Sequence, residues 1–444
     1  MTQANGAVFS PRYAWYVVGV LMLANVSGFV DRQILSLLVA PIQRDLGVSL
    51  TEIGYLYSSF AVSFTLMAIP IARIADSGNR RNVVVAGVAF WSIMTALSGF
   101  AHTFWRLFLA RIGVGVGESA LQPPATSLIA DYFSRERLGT AMGVYSMGIF
   151  LGSGLGYFIG GWIVGLVSTQ ESWTWPMLGS IHPWQTVFVA IGLPGLLIAL
   201  LMLTVREPER RDRSHGTVPL SRLFLYLREH RRTFLCMSFG FAMSATVNFG
   251  IAAWLATFLV QKHGWTASRA GKVQGELTMT IGVAGVVAGG RLTDAFVRRG
   301  RVDGALRIGV IGALGMLVSA SAYPFAASAV VAVLWLVIVN FFAAFPWGAA
   351  STAAVEVVPP AMRAQGAALF LLVLNLVSYT LGPIAVPWIT DHVFHDQSAL
   401  PISLALVNVV GMVSAIVLFI AAMPAYRRTL TQLESSTSAS RSGV

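Results

Sequence analysis

The sequence holds a single cysteine, Cys236, and charged residues make up only 11% of it. One thiol excludes a disulfide framework, a zinc knuckle and an iron–sulfur cluster, each of which takes at least two thiolates. A water-soluble domain carries about 25% charged residues. The shortage of charge therefore excludes a soluble globule, and the 56% hydrophobic content points the same way. The solvent of this chain is a bilayer. Also lacking are a Walker-type loop and any Ser/His/Asp or Cys/His arrangement on a suitable scaffold, so neither an ATP-driven machine nor an enzyme is expected. Gly113, Gly115 and Gly117 imitate a nucleotide loop but lie inside an apolar span, where glycines serve close helix packing. Asp391, His392, His395 and Asp396 share one loop without fixed geometry, so no metal and no cofactor is expected.

What is present is a series of apolar stretches, at about 13–40, 51–75, 82–101, 104–130, 138–166, 185–205, 233–260, 266–292, 304–325, 328–355, 361–389 and 401–424. A spanning helix needs roughly 20 apolar residues, so this pattern predicts twelve transmembrane helices. The longer stretches imply tilt or extension beyond the hydrocarbon. Residues Met1–Ser10 are polar and uncharged, and the first apolar run outlasts a signal-peptide core, so it is expected to be retained. If the amino terminus is cytoplasmic, 23 of the 30 basic residues fall in cytoplasmic segments. The positive-inside rule then puts both termini in the cytoplasm. The net charge of +11 is thus a topology signal, and no nucleic acid is expected as a partner.

The charged interruption 206–232 falls between the sixth and seventh helices. It divides the chain into an amino-terminal six-helix bundle, 1–205, a cytoplasmic linker, 206–232, a second six-helix bundle, 233–424, and a Ser/Thr-rich tail, 425–444, expected to be disordered. An internal repeat supports the division. Ala72–Arg81 matches Gly290–Arg299 at four of ten positions, including Asp76 with Asp294 and Arg80–Arg81 with Arg298–Arg299, at an offset of 218 residues. The expected fold is an all-α membrane protein, multi-pass, built from two related bundles.

With this loop in place after the second helix of each half, the chain resembles the major facilitator superfamily, whose signature there is Gly-x-x-x-Asp-Arg/Lys-x-Gly-Arg/Lys-Arg/Lys. The second copy keeps Gly290, Asp294, Arg298 and Arg299; the first has Ala72, Ser77 and Asn79 at positions where the signature differs. The resemblance implies a gating role for Asp76, Arg80, Arg81, Asp294, Arg298 and Arg299. A narrower resemblance rests on Phe29-Val-Asp31-Arg32, Asn79-Arg80-Arg81, Arg111-Ile-Gly-Val-Gly-Val-Gly-Glu118-Ser119 and Gly152-Ser-Gly-Leu-Gly156-Tyr-Phe-Ile-Gly160-Gly161. These are similar to the spinster family of lysolipid and sphingolipid-phosphate transporters, and imply amphipathic lipid cargo.

Asp31, Arg32, Arg111 and Glu118 lie inside apolar helices, where a charge at bilayer depth costs at least roughly 3 kcal/mol, so they must be paired or wet. Arg111 and Glu118 are two helical turns apart and share one face. Adjacent Asp31 and Arg32 diverge by about 100° around their helix, which favours Asp31 with Arg111 and Arg32 with Glu118. The set sums to zero, so a carboxylate that loses its arginine becomes a proton acceptor, the basis of a proton-coupled switch or of a headgroup site. The repeat offset maps Asp31 to Phe249, Arg111 to Ala329 and Glu118 to Leu336, so the second half has lost these charges. Its candidates are Asn248, Phe249, Trp254, Met279, Leu336, Asn340 and Tyr379, expected to line an apolar tail cavity. The expected function is a secondary active transporter, a monomer in the bacterial inner membrane, whose partners are membrane lipids, an amphipathic substrate and protons. An organic-anion or sugar-acid symporter is the alternative within the superfamily, and a membrane receptor or signalling module the alternative outside it.

Overall fold

A computed structural model describes residues 10–167, 173–175, 179–209, 219–359 and 362–442. Helix α1 (Pro11–Leu37) starts where the Ser10 hydroxyl accepts from the Tyr13 N–H and Pro11 presets the first turn. After α2 (Val39–Leu46), α3 (Leu50–Ser77) opens on a capping box formed by Ser49 and Glu52. Asn79 caps α4 (Arg80–Ser98) and Thr103 caps α5 (Phe104–Glu118). The fourth apolar stretch does not continue as one helix. Pro123 and Pro124 have no N–H to give to the carbonyls of Ser119 and Ala120, and the chain turns tightly before restarting as α6 (Gln122–Tyr132). Twelve continuous helices are therefore not what the described residues form: 11 segments are long and apolar enough to cross a membrane, and this broken one is not among them.

The order continues with α7 (Arg135–Val167), two three-residue strands, β1 (Trp173–Trp175) and β2 (Gly179–Ile181), paired antiparallel, and α8 (Pro183–Met202). That small ribbon is the one departure from an all-helical chain among the described residues. Of the predicted linker 206–232, residues 210–218 lie outside the described residues, and 220–229 form α9 (Leu220–Glu229). Then follow α10 (Arg231–His263), α11 (Ala267–Leu277), a π turn at Thr278–Gly282, α12 (Val283–Arg298), α13 (Gly304–Ala322), α14 (Ala329–Ala344), α15 (Trp347–Glu356), α16 (Arg363–Ile389) and α17 (Leu400–Ser442). The final helix runs on through 425–442, over the stretch whose composition predicts a disordered tail. Extending a formed helix needs no new nucleus, and Ser, Thr and Ala do not forbid it.

The helices gather into two contact units, 1–215 with 255–279, and 216–254 with 280–444. Within the first, α1 lies against α7, α4 against α8, and α5 sits between α3 and α4. Glycines permit these approaches. A Cβ at Gly152, Gly156 or Gly160 would meet Val26, Val30 or Ile34 of α1, while one at Gly154, Gly161 or Gly165 would meet the α11 side. The small-residue stripe predicted on this helix thus serves two neighbours. Close backbone contact of this kind replaces the hydrophobic drive that lipid cannot supply, and it is why 255–279 packs with the first unit.

The second unit repeats the pairing scheme of the first. Its α13 packs on α17, where Asn408 donates to the Ala320 carbonyl at 2.6 Å, and α10 meets α16 at Gly250 and Gly382. Leu197, Leu200, Leu334 and Val417 are more than half exposed, as side chains facing hydrocarbon must be.

Gly275→Leu should destabilise the purified protein by about 1–3 kcal/mol or more, because the new side chain meets the Gly154 carbonyl, part of the backbone. Gly290→Ala is the control, since a Cβ there meets nothing within 4 Å. Equal melting temperatures for the two variants would contradict the packing account.

Candidate functional site

The two charge pairs form between α1 and α5. Arg111 Nη1 donates to Asp31 Oδ1 at 3.0 Å, and the Thr95 hydroxyl of α4 donates to the other oxygen, Oδ2. Arg32 Nε and Nη2 both lie 2.7 Å from Glu118 Oε2. Asp31, Arg111 and Glu118 are buried, whereas the Arg32 side chain keeps 16% of its surface exposed. The two carboxylates differ in completeness. Both Asp31 oxygens are used, but Glu118 Oε1 and Arg111 Nε are sealed from solvent without a hydrogen-bond partner.

Aromatic faces complete the surround. The Arg32 guanidinium lies 4.7 Å from the Phe29 ring, 5.1 Å from Phe60 and 4.7 Å from Phe64, and Arg111 lies 5.6 Å from Phe60. A cavity of about 40 Å³ adjoins this pair, lined by Arg32, Glu118, Asn25, Gln122, Phe64 and Trp91 among others. That is room for about three waters. Thr95, Asn25, Gln122 and the Phe60–Phe64 pair were not legible as site residues. Phe60 and Phe64 are four apart on α3, a spacing that in sequence reads equally as core.

The chain belongs to the Major Facilitator Superfamily. Its family model matches residues 21–383. A curated "MFS-type efflux pump" of Mycolicibacterium smegmatis is 28% identical over 429 residues, covering 95% of each chain. A "Probable L-galactonate transporter" of Escherichia coli is 27% identical over 297 residues, 63% of this chain and 61% of that one. Among solved structures, a bacterial homolog of the human lysosomal transporter spinster, in an inward-facing and unoccupied conformation, superposes with a TM-score of 0.78 at 28% identity, covering 96% of this chain and 99% of that one. This chain is therefore a multi-pass superfamily transporter that resembles the spinster group.

The candidate residues of the second half fall in both contact units. Phe249 stacks on Tyr379 with ring centroids 3.8 Å apart, and Asn248 beside it is half-buried. Trp254 is fully buried and donates to the Pro383 carbonyl, Leu336 is buried in α14, and Asn340 donates to the Leu336 carbonyl of its own helix. Met279 belongs to the other contact unit, against Gly154. Trp254 and Leu336 are both buried within the helices of the second half in this structure.

The two loop copies also diverge. Arg80 is buried and bonds Asp131 of α6 at 2.5 Å, Glu207 at 2.7 Å and Ser127 at 2.8 Å, and the Arg81 N–H donates to Glu207. Asp76, Asp294, Arg298 and Arg299 are exposed. In the second unit the tie at the start of the third helix is instead acidic: Asp303 accepts from Arg307 at 3.0 Å and from Arg427 Nη2 at 2.6 Å. Each half thus fastens the start of its third helix to the segment ending its sixth, with Arg80–Glu207 in one and Asp303–Arg427 in the other, so the sign is reversed.

Burial alone would raise the Asp303 pKa, but hydrogen bonds from Arg307 and Arg427 outweigh it and hold the carboxyl below its ordinary value. A carboxyl depressed on folding stabilises the fold above its unfolded pKa of about 3.9 and loses that contribution as pH falls through the lower folded value. Melting temperatures of the wild type and Asp303→Asn should therefore differ most near neutral pH and converge below about pH 4. A constant gap across that range would exclude this carboxylate as the source.

Proposed function

We propose that the protein is a proton-coupled secondary transporter of amphipathic, lysolipid-type cargo, working by alternating access with both termini in the cytoplasm of a bacterial cell. The observation that carries the reading is the Arg32–Glu118 pair, whose carboxylate is half used and which adjoins a cavity reached by Asn25 and Gln122, next to Asp31, whose two oxygens are both taken by Arg111 and Thr95. A proton on Glu118 removes the charge that holds Arg32, and the freed guanidinium can take a phosphate or carboxylate head. The resemblance to the spinster family implies lipid cargo, and burying each tail methylene gains about 0.8 kcal/mol. The glycine faces of α7 supply smooth surfaces on which helices can slide.

A sugar acid is the second reading. Arg32 and Arg111 suit a carboxylate, and the similarity to the galactonate transporter favours it.

Glu118→Gln mimics the protonated acid and cannot cycle, so the variant should fold and bind cargo in liposomes but lose the pH dependence of uptake. Unaltered pH dependence would move coupling away from this residue. In the same liposomes, uptake competition should strengthen with tail length along a lysolipid series. A flat response, together with saturable uptake of galactonate, would establish the sugar-acid reading instead.

A further inference from the structure

We propose that the surround of Arg32 is a subsite for an organic ammonium group, and that the protein's own guanidinium occupies it in this structure. The inference rests on the reading of the adjoining cavity as a cargo pocket. Three ring faces, Phe29, Phe60 and Phe64, lie within 4.7–5.1 Å of the guanidinium carbon, with a carboxylate oxygen 2.7 Å from its nitrogens. Aromatic faces closed by a carboxylate are the chemistry that recognises quaternary and alkyl ammonium ions. An ion pair needs no such rings.

The neighbouring pair shows the contrast. Arg111 meets one of these rings, and its carboxylate partner is saturated by the guanidinium and the Thr95 hydroxyl, as in a fixed lock between helices. At Arg32 the carboxylate is only half used: Glu118 Oε1 is buried and has no hydrogen-bond partner. Gly28 leaves the flank of Glu118 open, since a Cβ there would come within 3.3 Å of Oε2. The Arg32 side chain also keeps contact with the cavity, on a long stem able to swing aside.

Arg32 then acts as a tethered competitor, always present at high effective concentration, and masks the affinity of the subsite for a free ammonium ion. A cargo bearing an amine displaces it, and the displaced guanidinium becomes available to an acidic group on the same molecule. The subsite therefore selects amine-bearing amphiphiles over purely anionic ones.

The test is calorimetric titration of the full chain in lipid nanodiscs with butyltrimethylammonium and, separately, butyl phosphate. At a pH high enough to keep Glu118 ionised, Arg32→Gln empties the subsite and should tighten butyltrimethylammonium about tenfold while weakening butyl phosphate. Adding Phe64→Leu to that variant should cancel the gain. Arg32→Met keeps an unbranched stem against the rings for the case in which the glutamine variant does not fold. Carrying no cation, it should tighten butyltrimethylammonium in the same direction. Unchanged butyltrimethylammonium affinity in these variants, with butyl phosphate still bound by the wild type, would overturn the ammonium subsite and leave the cargo pocket standing. No saturable binding of either compound in any of these proteins would overturn both.

Discussion

A charge in hydrocarbon cannot stand alone, and the first bundle is organised around that constraint. Four ionised side chains at bilayer depth would be prohibitive singly. Asp31 and Arg32 are neighbours in sequence, yet the helical turn sends them to different partners, Arg111 and Glu118, both on α5. The same constraint makes the pairs unequal. In one, a hydroxyl finishes the carboxylate. The other leaves one buried carboxylate oxygen without a hydrogen-bond partner, so that its neutrality depends on Arg32 or on a proton.

Lipid offers helices no hydrophobic reason to associate, so shape and polar ties must do it. Glycines on α5 and α7 let backbones touch, with Gly115 against Phe60 and Gly154 against Gly275. Where the third helix of each half begins, buried ion pairs take over. Arg80 gathers Asp131 and Glu207, and Asp303 gathers Arg307 and Arg427. Removing Arg80 strands two carboxylates and costs about 3–5 kcal/mol, whereas Arg427 is half exposed and its tie to Asp303 is screened by solvent. The repeated architecture is thus held by the same device in both halves with the charges exchanged.

Much of this was legible in sequence because the determinants are local. Hydropathy located the spans, and the 3.6-residue period assigned Asp31 and Arg32 to separate partners, as the distances bear out. The break after Glu118 was written in Pro123 and Pro124 but hidden by an apolar run that crosses it. The partners of Arg80 were not legible: Glu207 lies 127 residues away, and nothing local marks it as a ligand of a buried arginine. The repeat offset found Arg298 as the twin of Arg80, yet the second half makes its tie through Asp303, because what duplication conserves is the joint between helices and not the sign of the charge. In the second half an apolar wall could be inferred, but which side chains pack and which stay open depends on contacts far apart in sequence, as the burial of Trp254 against Pro383 shows.

The central claim is that Glu118, and not Asp31, is the carboxyl whose charge changes as the transporter works. Infrared difference spectroscopy of the reconstituted protein, recorded as the pH is lowered, reads this directly through the stretching band of a protonated carboxyl. The account predicts a band that vanishes in Glu118→Gln and persists in Asp31→Asn. A band lost in Asp31→Asn and retained in Glu118→Gln would contradict it.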